Sequence, residues 1–251
     1  MNTINRYLML NVVALFLALS VTNVSAQIAI TDGLAGYWSF DKETIVGDTI
    51  KDIWGANHGE IEGAPKTVQG KVKDGMEFGG EEDQILVPHS ESLNITDGIT
   101  LCAWIFWNGS TGIVASKRDP VSYQFSAIDD NTIQLCAPDC LYSEPVLSAN
   151  EWIHIAAVRQ ENTVLFYKDG EPVGTSDQAT AWVMNEVDLI IGAWPGKGYK
   201  YGGILDELSI YNRPLDEDEI KRNFIAKGLA VDFYAKLASS WGDIKSIKQP
   251  K

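Results

Sequence analysis

The sequence has 251 residues, of which 34 are Asp or Glu and 20 are Lys or Arg, so its formal net charge is −14. The Lys and Arg residues do not cluster, which argues against nucleic acid and anionic membrane surfaces as partners. This length suits one large domain with a substantial hydrophobic core.

The N-terminal segment has the layout of a secretory signal. A start that carries one positive charge, at Arg6, precedes an apolar run from Val12 to Val21, and small residues follow in Val24-Ser25-Ala26. The run is too short to span a bilayer. We therefore expect cleavage before Gln27 and secretion to the extracellular space, the cell surface or the periplasm, with no membrane span in the mature chain.

Beyond the signal, the pattern indicates a single folded unit. The predicted organisation is a signal peptide at 1–26, one domain at 27–227 and a C-terminal tail at 228–251.

Short strand patterns dominate the domain from Leu34 to Tyr211. Turn residues separate them, as at Asp169-Gly170, where glycine takes a positive φ without steric cost. The run from Ile99 to Trp107 is almost continuously apolar, which is typical of a strand covered on both faces. Many short strands with little helix predict an all-β sandwich or barrel.

One helix is predicted near the end of the domain. Asp216 has the position of an N-cap, and Glu219 three residues later completes a capping box. Ile220 and Phe224 are four residues apart, so they share a face that can dock on the strands. The helix should end before Gly228.

Cysteine usage fits an oxidising compartment. Cys136 and Cys140 can close a small loop as a disulfide, and Cys102 lies in an apolar strand pattern that predicts a buried free thiol. A bridge from Cys102 to either of the other two stays open. A nucleophilic pair of Cys102 with His154 is disfavoured, because both residues lie in strand-core patterns.

Six segments in chain order carry a more specific pattern. They are Gly36-Tyr37-Trp38-Ser39-Phe40-Asp41, Gly70 to Gly80 with Met76-Glu77-Phe78, Ile99-Thr100-Leu101-Cys102-Ala103-Trp104-Ile105, Trp152-Ile153-His154-Ile155-Ala156, Phe166-Tyr167-Lys168-Asp169-Gly170, and Gly203 to Ile220 with Asp206-Glu207-Leu208-Ser209-Ile210-Tyr211. Together they resemble the laminin G-like jelly-roll domains of the concanavalin A-like superfamily. The resemblance implies a two-sheet antiparallel β-sandwich, here with one short C-terminal helix, often one calcium ion, and recognition of glycans or proteins.

The chain departs from its pentraxin-like relatives in one respect. These relatives join the strand of Cys102 to the strand of His154 by a disulfide, and this sequence offers Ala156 at the second position. That bridge is therefore expected to be missing.

The superfamily also includes glucanases, whose catalytic carboxylates lie along one strand in an E-x-D-x-E or E-x-D-x-x-E pattern. Glu186-Val187-Asp188 is the nearest match, but Ile190 and Ile191 occupy the places of the second carboxylate. Asp206 and Glu207 are adjacent, so strand alternation is expected to send them to opposite faces. The sequence predicts no enzyme, and a glycoside hydrolase is the less favoured alternative.

Aromatic residues in loops are the candidate ligand-binding groups, since an exposed ring stacks on a sugar or anchors a protein. The glycine-rich loop from Gly192 to Tyr199 is the favoured site, although such rings can instead fold down and cap the sandwich. The candidate binding residues are Trp194, Tyr199, Tyr201 and Trp182, with Trp107 also at a strand end, whereas Trp38, Trp104 and Trp152 are expected in the core.

The sequence therefore predicts a secreted, non-catalytic binding module that recognises carbohydrate or a cell-surface ligand. The alternative is a structural or protein-interaction module of an extracellular assembly, with an extracellular protein as partner. Asn94 and Asn108 begin glycosylation sequons, which matter only in a host that glycosylates.

Calcium is the expected cofactor, at the junction of the first and last strands. Asp41 follows the opening strand pattern and Asp206 lies in the closing one. Calcium takes six to eight oxygen ligands, so backbone carbonyls near Gly36, the region of Asp48 and Asp52, and water would complete the shell. The alternative is that Asp41 caps a turn and Asp206 accepts backbone N–H groups without a metal.

Overall fold

The computed structural model describes residues 29–79, 81–117, 122–137, 139–177, 183–194, 198–226 and 228–229. The predicted signal peptide and nearly all of the predicted tail lie outside these ranges. Among the described residues, no helix is both long enough and apolar enough to cross a membrane.

The described chain is built from strands, two short 3₁₀ turns and one α-helix. The strands are β1 (Leu34–Trp38), β2 (Ile45–Val46), β3 (Thr49–Ile50), β4 (Gly59–Glu62), β5 (Lys66–Gln69), β6 (Asp74–Phe78), β7 (Gln84–Val87), β8 (Gly98–Trp107), β9 (Gly112–Lys117), β10 (Tyr123–Ala127), β11 (Ile133–Cys136), β12 (Cys140–Tyr142), β13 (Trp152–Gln160), β14 (Thr163–Lys168), β15 (Glu171–Asp177), β16 (Leu189–Ile191) and β17 (Gly203–Tyr211). The 3₁₀ turns are Lys42–Thr44 and Glu91–Leu93, and the helix is α1 (Glu217–Ile225).

Two antiparallel sheets form the sandwich, which confirms the predicted fold class. Sheet A has eight strands in the order β15-β14-β13-β8-β17-β6-β5, with β1 also paired to β17. Sheet B has nine strands in the order β12-β11-β10-β9-β16-β7-β4-β3-β2. The first and last strands therefore pair directly, as the calcium prediction assumed.

The core lies between the sheets and is filled by the inward-facing residues of both. The strand alternation buries large rings from both sheets, and Trp38, Trp107, Phe125 and Phe166 are each completely buried. Trp107, expected at an accessible strand end, is thus a core residue whose indole N–H donates to the Ser110 carbonyl at 2.6 Å.

A second apolar cluster lies on the outer face of sheet A, where α1 covers it. Ile220 of the helix packs there with Tyr37, Cys102 and Tyr211. The predicted capping box is present, because the Asp216 carboxylate accepts from Glu219 N at 2.8 Å and the Glu219 carboxylate accepts from Asp216 N at 3.1 Å.

Ion pairs fix α1 to the strands. Arg213 donates two hydrogen bonds to the Glu219 carboxylate, each 2.8 Å long. Lys221 donates to Glu171 of β15 at 2.6 Å. The first half of the helix is thus attached to the segment after β17 and to β15.

The cysteine predictions are confirmed. Cys136 and Cys140 form a disulfide, and Cys102 is a buried free cysteine. Cys102 lies opposite Ala156 in the pairing of β8 with β13, so the bridge of pentraxin-like relatives is absent for the reason expected.

The outermost strands of the sheets are short, irregular or tied to a neighbour. Sheet B ends at β2, which has two residues, and at β12, which has three. β15 at one end of sheet A has a register shift against β14. The Ser176 hydroxyl of β15 also donates to the Tyr142 carbonyl of β12 at 3.2 Å, so these two outer strands are joined.

Candidate functional site

The predicted binding loop presents an accessible aromatic pair. Trp194 and Tyr199 stack with ring centroids 5.7 Å apart and an interplanar angle of 26°. Tyr199 is 55% exposed. Its carbonyl accepts from Ile113 N at 3.1 Å, and the Gly192 carbonyl accepts from Tyr201 N at 2.8 Å, so both ends of the loop are hydrogen-bonded to the sandwich.

The other predicted binding residues differ from this pair. Tyr201 is buried, with its ring edge-to-face against Phe78 at a centroid distance of 6.4 Å. The prediction of an accessible ring at Tyr201 is wrong, because its backbone continues toward β17 while its side chain enters the core. Trp182 lies outside the described residues.

A cleft opens beside this loop, on the outer face of sheet A. Strand pairing aligns Glu77 of β6, Ile204 of β17, Phe106 of β8 and Trp152 of β13 in one row across the sheet. Phe106 packs against Trp152 at a centroid distance of 5.7 Å, which places Trp152 on the outer face and not in the core as expected. The cleft has a volume of about 490 Å³.

The rim of the cleft is polar and mixed in charge. Glu77, Glu81, Asn108, Asn150 and Lys200 line it around Phe106, Ile204 and several glycines. The Lys200 ammonium donates to the Gln84 amide oxygen at 3.2 Å, so it is positioned by a neighbouring strand. No single sequence motif contains these residues, because they come from separate parts of the chain.

A β-bulge in β17 overturns the expectation for Asp206 and Glu207. Leu205 and Leu208 both point into the core, which is impossible for residues three apart in a regular strand. The pairing with β8 shifts between Asp206 and Ser209, and Glu207 has a φ of 54°. The bulge turns both carboxylates toward the outer face of sheet A.

The two carboxylates do not form an accessible catalytic pair. Glu207 lines a small cavity of about 10 Å³ with Trp104, His154 and Asn223, a volume that suits one water molecule. Burial raises the pKa of Glu207 to about 8 and lowers the pKa of His154 to about 3. A sugar ring has no access to this cavity.

Of the remaining groups considered for catalysis, Cys102 is buried, Asp188 is partly buried and Glu186 is exposed. Burial raises the pKa of the Cys102 thiol to about 12, which disfavours the nucleophilic thiolate. The Asp188 carboxylate accepts from His89 N at 2.7 Å. Ile190 and Ile191 follow it as buried strand residues, so β16 has no second carboxylate.

An acidic cluster lies at the junction of β1 and β17. Asp41, Glu43 and Asp74 can each place one carboxylate oxygen within 4.8 Å of the others. The Lys73 ammonium lies among them, 3.3 Å from Asp41 Oδ2 and 2.9 Å from Glu43 Oε1.

Asp206, the other predicted calcium ligand, is not part of this group of three carboxylates. Its Oδ2 accepts from Lys71 N and Val72 N, both at 2.8 Å. Its Oδ1 is buried and makes no hydrogen bond within the described part of the chain. Burial raises the pKa of Asp206 to about 8, with the nearby Asp41 charge acting in the same direction.

An exposed tryptophan that the sequence analysis did not single out lies in the loop between β3 and β4. Trp54 is 46% exposed. Asp52 holds this loop, since its Oδ1 accepts from Tyr37 N, Trp54 N and Gly55 N, and its Oδ2 from Asn57 N. The only sequence signal for this exposed tryptophan was a short polar segment rich in turn residues.

These features define a β-sandwich domain that offers an aromatic platform and an open cleft, and in which the adjacent carboxylates of Asp206 and Glu207 are buried. A family model described as the concanavalin A-like lectin/glucanases superfamily matches residues 78–221. The chain belongs to this superfamily. No curated protein sequence matches it.

Solved structures share the fold at low sequence identity. The binding domain of Paraclostridial Mosquitocidal Protein 1 is 19% identical with a TM-score of 0.63, over 77% of this chain and 52% of that one. Domain 4 of AbnA, an extracellular GH43 arabinanase of Geobacillus stearothermophilus solved with arabinotriose, is 16% identical with a TM-score of 0.60, over 75% and 96%. The sialidase of Trypanosoma rangeli, solved with the inhibitor DANA, is 17% identical with a TM-score of 0.58, over 78% and 33%. The chain thus spans about half of the first of these proteins and a third of the sialidase.

Proposed function

We propose that this chain is a secreted, non-catalytic module that binds carbohydrate. The observation that carries the proposal is the stacked pair of Trp194 and Tyr199, with more than half of the Tyr199 side chain exposed. A ring held flat by a second ring presents a rigid apolar face at little entropic cost, and such faces stack on the C–H face of sugars.

Two further observations support binding over catalysis. Glu207 and His154, which lie side by side, are both buried and so cannot act as an acid–base pair on a glycan. The similar solved folds include a toxin binding domain and an arabinanase domain in complex with arabinotriose. The Cys136–Cys140 disulfide agrees with the oxidising compartment that the predicted signal implies.

Tyr199→Ala should lower the affinity for whichever glycan the wild-type protein binds on an array by about five- to thirtyfold, because it removes roughly 1–2 kcal/mol of stacking. Tyr142→Ala is the matched control, since Tyr142 is 45% exposed on β12 and belongs to no aromatic pair in the described residues. If Tyr199→Ala and Tyr142→Ala bind the glycan with equal affinity, the Tyr199 ring does not contribute to binding. Release of reducing ends by the wild-type protein would contradict the non-catalytic part of the proposal.

Trp54 favours a second function, a protein-interaction module of an extracellular assembly. A half-exposed tryptophan on a loop fixed by four backbone hydrogen bonds has the character of an interface anchor. Absence of any glycan on the array, together with a protein partner that Trp54→Ala no longer binds, would favour this function over carbohydrate binding.

We also propose that calcium binds at the acidic cluster around Asp41. The donor set fits a hard cation, because Asp41, Glu43 and Asp74 can each place a carboxylate oxygen within 4.8 Å of the others. These three side chains would hold the ion. We propose Asp206, which lies outside this group and whose buried Oδ1 has no hydrogen bond among the described residues, as a further ligand. Calcium would tie the end of β1 to the bulge of β17, which is a structural role.

Calcium should raise the melting temperature, and EDTA should lower it again. The stabilisation follows RT ln(1 + [Ca]/Kd), or about 2.7 kcal/mol at a hundredfold excess over Kd. Asp206→Asn should abolish this response, and Lys73→Gln should strengthen it by removing a competing ammonium. Glu60→Gln, at an exposed position on β4 of sheet B, is the control. Superimposable melting curves of the wild-type protein in calcium and in EDTA would rule the site out.

A further inference from the structure

We infer that the cleft on the outer face of sheet A is a second carbohydrate subsite, selective for neutral oligosaccharides over acidic ones. This inference rests on the proposed carbohydrate-binding function and assigns it a ligand class. The cleft is lined by Phe106 and Ile204 on its floor and by Glu77, Glu81 and Lys200 on its rim.

The floor matches the apolar face of a sugar ring. Phe106 and Ile204 are directly paired residues of β8 and β17, both only partly buried, so their side chains lie next to each other at the surface. Phe106 is held from the far side by Trp152. This gives a flat and rigid apolar patch of the kind that binds the C–H face of a pyranose.

The floor is widened by backbone that only glycine permits. A Cβ at Gly202 would lie 2.1 Å from the Asn108 amide nitrogen, and one at Gly203 would lie 2.0 Å from the Phe106 carbonyl oxygen. Gly203 also has a φ of 134°. The two glycines therefore allow Asn108 to lie close to the start of β17. Because they have no side chains, the cleft stays open over them.

The rim matches hydroxyl groups. Glu77 and Glu81 offer hydrogen-bond acceptors only, Lys200 offers donors only, and the Asn108 and Asn150 amides offer both. A sugar hydroxyl donates and accepts at once, so it pairs with each of these groups. The volume of about 490 Å³ accommodates roughly two or three sugar rings.

Charge supplies the selectivity. Two carboxylates face one ammonium across the cleft, and that ammonium also donates to Gln84. Uronate or sulfate groups of an acidic glycan would approach Glu77 and Glu81 as like charges, which costs affinity. Neutral oligosaccharides meet no such repulsion.

The cleft is next in the chain to the stacked pair of Trp194 and Tyr199. Lys200 follows Tyr199 directly in the chain, and Tyr201 lines the cleft from beneath. A glycan chain stacked on Tyr199 therefore has the cleft as its neighbouring surface. The two subsites act on one ligand, with the platform supplying stacking and the cleft supplying selectivity.

Gly79 allows a direct steric test. It lines the cleft, its φ is not in the left-handed region, and a Cβ there would meet nothing within 4 Å. Gly79→Phe should therefore fill the cleft without disturbing the sandwich. Val46→Phe is the matched control, because Val46 is 57% exposed on β2, in the other sheet.

The experiment measures binding of cellotriose, mannotriose and arabinotriose as neutral probes and of trigalacturonate as the acidic probe, with protein from a host that leaves Asn108 unglycosylated. We expect wild-type protein to bind at least one neutral probe and to bind trigalacturonate at least tenfold more weakly. Gly79→Phe should lose at least tenfold in affinity for that neutral probe at an unchanged melting temperature. The double variant Glu77→Gln/Glu81→Gln should bring the affinity for trigalacturonate within threefold of the affinity for that neutral probe. Glu60→Gln should leave the difference between the two affinities unchanged.

The outcomes separate the two proposals. Neutral binding that Gly79→Phe leaves intact and Tyr199→Ala abolishes would overturn the cleft and keep the platform. Preference for trigalacturonate in the wild-type protein would overturn the assigned ligand class. Binding of none of these probes, with no glycan retained on the array, would overturn both the subsite and the carbohydrate-binding function. If Gly79→Phe lowers the melting temperature, the double Gln variant decides the question alone, and unchanged selectivity there counts against the cleft.

Discussion

Replacing Asp52 with alanine should lower the free energy of unfolding by about 3 kcal/mol or more, and the melting temperature by roughly 6–12 °C. Asp52 is only 3% exposed, and its two carboxylate oxygens accept from the backbone N–H groups of Tyr37, Trp54, Gly55 and Asn57. Asn57 donates to it a second time through its side-chain amide, at 3.2 Å. Alanine would leave these donors without an acceptor, and a buried unpaired donor costs more than a lost hydrogen bond.

Two further variants show whether the acceptors cause the effect. Asp52→Asn keeps one acceptor oxygen but places an amide near the Asn57 donors, so an intermediate loss is expected. Asp48→Ala alters an exposed carboxylate in the neighbouring turn and should change stability by less than about 0.5 kcal/mol. Chemical denaturation of the three variants gives the comparison. Equal losses for Asp48→Ala and Asp52→Ala would show that the hydrogen bonds of Asp52 are not the cause.

His154 should make the protein sensitive to acid. Burial lowers the pKa of His154 from its ordinary value of 6.5 to about 3, because no charged partner offsets the cost of an imidazolium in its cavity. Between these two pH values the unfolded chain binds a proton that the folded chain does not. The stability that neutral His154 provides is therefore complete above pH 6.5 and is lost as the pH falls toward 3.

The expected loss between pH 7 and pH 4.5 is on the order of 3 kcal/mol from this one residue. His154→Gln removes the titration, so the variant should lose correspondingly less stability than the wild-type protein over this interval. His89→Gln is the control, since the His89 side chain is 24% exposed. Glu207 titrates in the opposite sense, and because it shares a cavity with His154 its contribution cancels fully only between the wild-type protein and His89→Gln. Parallel pH profiles for the wild-type protein and His154→Gln would refute the assignment.

The elements that the sequence predicted are those in which local pattern and fold agree. The capping box of Asp216 and Glu219, the disulfide and the long central strands β8 and β13 all depend on residues close together in the chain or on simple alternation. The family resemblance correctly placed Ala156 opposite Cys102, because the family's strand order fixes the register of β8 against β13.

The features that the sequence did not predict depend on departures from alternation. One extra residue in β17 turns Glu207 to the same face as Asp206, and nothing in the run of Asp206-Glu207-Leu208 marks that bulge. Trp152 is a large apolar residue of the kind expected in the core, yet its pairing with Phe106 places it on the outer face of sheet A.

The candidate binding site was predicted only in part for a related reason. Trp194 and Tyr199 lie in one glycine-rich loop, so the sequence identified them together. The cleft brings together residues from β6, β8, β17 and four loops. Only the strand order places them side by side, and that order cannot be read from residue spacing.

The outer strands of the two sheets have a consequence for behaviour at high concentration. An unpaired strand edge is a template on which a second molecule adds its own strand, and this is a route to aggregation. Here β2 is too short to serve as a template, and β12 carries the disulfide. β15 contains Pro172, charged residues and a register shift, and it is hydrogen-bonded to β12. With these three edges protected and a net charge of −14 over the whole chain, strand addition at them is disfavoured at high concentration. Contacts with other molecules are left to the faces, the loops and the four-residue strand β5 at the other end of sheet A.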